Sequence, residues 1–140
     1  MIASPVKNLI LRGSEPTGNG WYGAKRGSRK HKGLDIKASA GESIYSPISG
    51  KIVRVGQVYT FTKRFKLIVI ANDTYEVKIM YIDPVEFEKG MYVDYGTYIG
   101  KNQNISSYWG GKMINHIHFE VRKHGLLTDP EPLLLRPYWL

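Results

Sequence analysis

The stretch from Asn115 to Arg122 constrains this chain more than any other. Ile117, Phe119 and Val121 alternate strictly with His116, His118, Glu120 and Arg122. Successive side chains on a β-strand point to opposite faces, so the pattern predicts one packed face and one polar face lining a cleft. No segment sustains the 3.6-residue period of an amphipathic helix, and Pro84 to Lys89 and Glu131 to Leu135 amount to short helical turns at most. The expectation is an all-β protein with a curved or two-sheet antiparallel architecture.

Other strand signals agree. Ile44-Tyr45 and Lys51 to Val55 flank the turn-rich Ser46-Pro47-Ile48-Ser49-Gly50. Leu67 to Ile70 and Tyr75 to Ile82 are strands joined by a hairpin turn at Ala71-Asn72-Asp73-Thr74. In the second of these, Tyr75, Val77, Ile79 and Tyr81 share a face, and Asp83-Pro84 ends the strand because proline cannot donate to the ladder. Val93 to Gly100 holds another short strand, and Leu9-Ile10-Leu11 could form one near the N-terminus. Gln57 to Phe65 reads as a polar and aromatic connection, and Asn102 to Lys112 as a surface loop.

The chain has 140 residues, 42% of them hydrophobic, which suits a single domain over residues 1–140 with one core. No run approaches the roughly 18 apolar residues of a membrane-spanning helix. There is no cysteine, so a metal site must use nitrogen and oxygen ligands.

Such ligands are present in two stretches. His31 and Asp35 are four residues apart, and His116 and His118 two apart, both even spacings. On extended backbone each pair points one way, so two neighbouring strands could bring all four groups to one point. Imidazole nitrogen and carboxylate oxygen are zinc ligands. Three ligands with an open fourth position make a catalytic site; four make a closed, structural one. Spacing alone leaves zinc binding and ordinary strand histidines evenly balanced.

Lys25, Arg26, Arg29, Lys30 and Lys32 crowd around His31, within a chain carrying 20 basic and 12 acidic residues and a net charge of +8. This is either a solvated loop or a basic rim suited to an anionic partner. Gly18-Asn19-Gly20-Trp21-Tyr22-Gly23 formally matches the dinucleotide pattern G-x-G-x-x-G. It leads into a Gly-rich basic segment rather than a helix, so that reading is rejected. Trp21 and Tyr22 either pack on the core or line a groove as substrate-binding groups.

His31-Lys32-Gly33-Leu34-Asp35-Ile36, Ala40-Gly41, Tyr45-Ser46-Pro47 and Gly50-Lys51-Ile52-Val53 resemble the first half of the lysostaphin-type zinc endopeptidase domain. Val93, Gly96, Ile99-Gly100, His116-Ile117-His118-Phe119-Glu120-Val121 and Asp129-Pro130 resemble its second half, the likeness spanning about residues 20–135. The resemblance implies an antiparallel β-fold with a groove over one zinc ion, walled by loops at about residues 13–30 and 102–114. It implies His31, Asp35 and His118 as zinc ligands and His116 as the unligated catalytic histidine. It further implies hydrolysis of peptide bonds in bacterial peptidoglycan by a zinc-activated water; the expected location is outside the cell or in its envelope, and the expected state a monomer. The basic rim then suits anionic wall polymers; nucleic acid ranks well below them.

One position departs from the family. Its enzymes carry a further histidine in a Tyr-x-His-Leu pattern, and here Lys78-Ile79-Met80-Tyr81-Ile82-Asp83-Pro84 puts Tyr81 in that place. His124, beyond the last strand, does not substitute for it. A similar Val-Lys-x-x-Tyr-Ile-x-Pro run marks the leukocyte cell-derived chemotaxin branch, thought not to act as a peptidase. Tyr81 is therefore either a catalytic hydrogen-bond donor to an oxyanion or the mark of a non-catalytic zinc-binding module.

Overall fold

The computed structural model describes residues 2–15, 18–26 and 29–135. Residues 16–17 and 27–28 of the expected loop at about 13–30 lie outside the described residues. The main sheet runs in the order Tyr92–Val93, Gly50–Gln57, Lys66–Ala71, Tyr75–Met80, His116–Lys123 and Leu126–Thr128, all antiparallel. Leu34–Lys37 adds a further antiparallel strand against the first half of His116–Lys123. A second, three-stranded antiparallel sheet pairs Ile82–Pro84 with Tyr98–Asn102 and Ser43–Tyr45. Among the described residues there is no α-helix, only one 3-10 turn at Glu131–Leu133. The all-β expectation is met.

Alternation explains the core. Ile117, Phe119 and Val121 are buried, as are Val77 and Ile79 of the neighbouring strand. They meet Leu34, Ile36, Ile52, Ile68 and Ile70 in one apolar cluster. β-Branched residues suit this position because their stiff side chains pack on a pleated surface. The polar face of the same strand is thereby held against a rigid support.

Some strand boundaries differ from the sequence expectation. The strand read as Tyr75 to Ile82 is two: it ends at Met80, and Ile82–Pro84 starts anew in the second sheet. Tyr81, between them, has φ 71°, a left-handed conformation rare for a bulky side chain. That residue switches the chain from one sheet to the other, so Tyr81 leaves the face it would share with Val77 and Ile79. The stretch Val93 to Gly100 likewise contains two strands, Tyr92–Val93 and Tyr98–Asn102. Leu9 to Leu11 contributes an isolated bridge, Leu11 to Ile36, and Pro84 to Lys89 forms no helical turn.

Candidate metal centre

Asp35 and His118 are direct register partners on adjacent antiparallel strands. Opposed residues on one face stand close enough for their side chains to touch, and His118 Nδ1 lies 3.1 Å from Asp35 Oδ1. His31 sits just before its expected strand, which begins at Leu34. Turns rather than strand pleating aim it: its backbone pairs with Gly23 and Ala24, and its Nδ1 donates to the Trp21 carbonyl oxygen at 2.9 Å. With Nδ1 donating, Nε2 of the neutral ring carries the lone pair. That Nε2 lies 2.9 Å from His118 Nδ1 and 3.1 Å from Asp35 Oδ1.

Three ligating atoms thus form a triangle with edges of 2.9, 3.1 and 3.1 Å. A tetrahedral ion with ligands at about 2.1 Å holds its donors about 3.4 Å apart. The triangle is only slightly tighter. Convergence of two imidazole nitrogens and a carboxylate oxygen at this separation fits a zinc-sized cation, and cysteine-free nitrogen and oxygen donors are within its preferences. His31, Asp35 and His118 would hold it.

A surrounding layer orients these ligands. Arg12 Nη1 donates to Asp35 Oδ2 at 3.0 Å, with both side chains buried. His118 Nε2 faces Glu120 Oε1 at 3.6 Å, and Glu120 Oε2 lies 3.3 Å from Lys78 Nζ. Carboxylates behind ligating histidines fix the tautomer and raise ligand basicity. Gly33 makes room, since a Cβ there would stand 2.8 Å from His118 Nε2 and 2.6 Å from the Phe119 carbonyl oxygen.

Charge in the site follows from these contacts. Burial alone would raise Asp35, but in the metal-free protein contacts with the His118 and His31 rings, which can carry protons towards it, outweigh burial and hold the carboxyl well below its usual range. Burial lowers His118, yet the hydrogen bonds to Asp35 and Glu120 prevail and leave it raised. Burial likewise raises Glu120, but His118 and Lys78 hold it at about 2. For His116 burial wins over the nearby Asp35 charge, and its value is lowered.

His116 shares the polar face without joining the triangle. Its Nδ1 donates to the Ile114 carbonyl oxygen at 2.7 Å, and its Nε2 lies 3.5 Å from Asp35 Oδ2. That leaves the second imidazole nitrogen facing the Asp35 carboxylate at the edge of the ligand cluster. The Tyr81 ring stands edge-on to His116 with centroids 5.7 Å apart. Its hydroxyl pairs with that of Tyr59 at 2.8 Å, and burial followed by that bond raises the phenol far above its usual value. Tyr81 is therefore a neutral phenol beside the histidine.

The other expected groups are placed differently. Trp21 reaches the site through its carbonyl, while its indole is 41% exposed; Tyr22 is partly buried. His124 is exposed in a turn at φ 50°. Arg12 and Tyr59 were not legible in the sequence as site residues. Glu120 and Lys78 carried a weak signal, as polar members of alternating strands. Tyr59 also contacts Trp109, at a centroid separation of 6.2 Å, so the 57–65 connection lies beside the site with the 102–114 loop.

Residues 29–130 match peptidase family M23, well over half of the chain. The chain belongs to this family. Among curated relatives, mouse leukocyte cell-derived chemotaxin-2 is 31% identical over 129 residues, covering 85% of this chain and 82% of that one. Chicken myeloid protein 1 is 29% identical over 116 residues, covering 79% of this chain and 34% of its own. Of the solved structures, the lysostaphin catalytic domain from Staphylococcus simulans superposes with a TM-score of 0.62 at 22% identity, covering 83% and 89% of the two chains. Helicobacter pylori Csd3 gives 0.72 at 20% identity, over 96% of this chain but only 35% of Csd3. These structural likenesses establish the shared M23 fold.

Proposed function

We propose that this M23 domain is a zinc-dependent endopeptidase that hydrolyses peptide bonds of bacterial peptidoglycan at the cell envelope. The observation that carries the reading is the convergence of His31 Nε2, His118 Nδ1 and Asp35 Oδ1, with the unligated His116 Nε2 only 3.5 Å from the Asp35 carboxylate. Zinc held by His31, Asp35 and His118 would supply an acidified water and Lewis acidity towards the scissile carbonyl. His116, neutral because burial lowers its value, accepts a proton at Nε2 while Ile114 holds its ring in place. Tyr81, a neutral donor, directs its hydroxyl to the developing oxyanion without bringing charge. Trp21, whose carbonyl holds His31, and Tyr22 beside it in sequence are assigned to substrate contact.

A second reading is a zinc-stabilised binding module without catalysis. It is favoured by Tyr81 standing where the family's enzymes place a histidine, and by the similarity to chemotaxin-2. Zymography on several bacterial wall chemistries, with and without chelator, separates the two. Chelator-sensitive clearing that His116→Ala abolishes supports the enzyme. Uniform absence of clearing by zinc-loaded wild type supports the module.

A further inference from the structure

Among the described residues, the main sheet pairs opposite charges across strands. In the pairing of Tyr75–Met80 with His116–Lys123, Glu76 stands opposite Arg122 and Lys78 opposite Glu120. The small hairpin formed by Lys25–Arg26 and Arg29–Lys30 reverses this rule: Lys25 stands opposite Lys30, and Arg26 opposite Arg29. Like charges directly opposed destabilise a strand pair. Among the described residues, no ion pair neutralises Lys25, Arg29, Lys30 or Lys32, and all four are exposed. The hairpin therefore carries a repulsion that an anionic partner would relieve.

Its position matters as much as its charge. Backbone hydrogen bonds from Gly23 N to His31 O and from His31 N to Ala24 O tie the base of the hairpin to a candidate zinc ligand. Anything held by the hairpin is held at the edge of the metal centre. Arg29 and Lys30 are successive strand residues and project from opposite faces, so the finger is basic on both sides. A flat lipid surface would neutralise one side only. A flexible linear polyanion can follow both, and arginine's fork suits phosphate oxygens.

We propose that this hairpin, with Lys32, is a docking finger for a polyol-phosphate polymer of the bacterial wall, which tethers the site to its substrate. This deepens the envelope reading above and rests on it. The partner is a flexible chain with one phosphodiester per repeat, and the basic side chains bind consecutive phosphates by releasing their counterions.

The test is titration of zinc-loaded protein with poly(glycerol phosphate), at several salt concentrations. The triple variant Lys25→Gln/Arg29→Gln/Lys30→Gln is compared with Lys51→Gln/Lys89→Gln/Lys101→Gln, which removes the same net charge from exposed sites elsewhere. The hairpin variant should bind at least about tenfold more weakly at low salt, with a salt slope shallower by about two. The control variant should lose less than about threefold, and the hairpin variant should melt no lower than wild type, because repulsion has been removed. Equal losses in both triples would reduce the effect to net charge and overturn the proposal. Equal or tighter binding of anionic vesicles or single-stranded DNA of matched charge would overturn the assignment to a polyol phosphate. Binding needs no turnover, so this result and the zymography stand or fall separately.

Discussion

Arg12 and Asp35 form a buried ion pair, with Nη1 3.0 Å from Oδ2 and both side chains under a twentieth exposed. The two residues are also joined through the backbone, Arg12 N donating to Asp35 O at 2.9 Å. The guanidinium occupies one carboxylate oxygen and leaves the other, Oδ1, facing both candidate ligand histidines. Asp35 is thus oriented as a one-oxygen ligand before any ion arrives.

Arg12→Met should therefore weaken metal binding as well as the fold. Removing one partner of a buried ion pair leaves an uncompensated charge and costs about 3–5 kcal/mol. The loss of ligand orientation should lower zinc affinity about 10- to 100-fold. Chelator competition for affinity and denaturant unfolding for stability check the two effects; an unchanged affinity in folded variant would refute the orienting role.

Glu120→Gln should reduce zinc affinity about tenfold with a smaller effect on stability, because it removes the carboxylate behind His118 but keeps its shape. Lys78→Met should act in the same direction and more weakly, since Lys78 reaches the metal ligand only through Glu120.

The same glutamate gives the metal-free protein an acid-dependent stability. Its folded value is about 2 against an ordinary value of 4.5. A depressed carboxyl contributes stability that is complete above its unfolded value and is lost as pH falls towards the folded one. Asp35, also held low, adds to the loss in the same direction. Unfolding measured with chelator from pH 5 down to pH 2 should show steadily falling stability, with a shallower fall in Glu120→Gln.

Tyr81→Phe tests the oxyanion role directly. Loss of one positioned donor should lower kcat about 10²- to 10³-fold with little change in KM. Tyr59→Phe, which removes only the bond holding the Tyr81 hydroxyl, should cost less. Tyr81→His fits the left-handed backbone at φ 71°, a region in which histidine is several-fold enriched. It should raise hydrolysis by restoring the family's usual imidazole, and a folded, inactive variant would favour the binding module.

Gly33→Ala should weaken both the fold and metal binding, because the new Cβ meets backbone as well as a ligand ring. The added methyl would crowd the His118 ring at 2.8 Å and the Phe119 carbonyl at 2.6 Å. The metal-free variant should melt below wild type, and chelator competition should show weaker zinc binding in the fraction that folds; unchanged values for both would refute the crowding.

Period-two alternation from His116 to Arg122 determined the all-β class by itself. That pattern is local: one strand with two chemically different faces needs a core on one side and a site on the other. The candidate donors of the centre were visible in two short stretches, but spacing left them balanced between metal binding and ordinary strand histidines, and His31 is aimed by turns rather than by the pleating its spacing suggested. The family pattern separated His118 from His116.

Only the tertiary structure decided the rest, because it depends on groups distant in sequence. Arg12 lies 23 residues from Asp35, and no local pattern marks it as a partner. Tyr59 lies 22 residues from Tyr81, on a connection whose aromatic content had no evident direction. Tyr81 itself defied the alternation rule. Strict pleating puts it on the core face with Val77 and Ile79, whereas a single left-handed residue turns the chain between sheets and sets the ring against His116. Sequence periodicity reports which face a residue occupies while the strand continues; it carries no information once the backbone changes sheets.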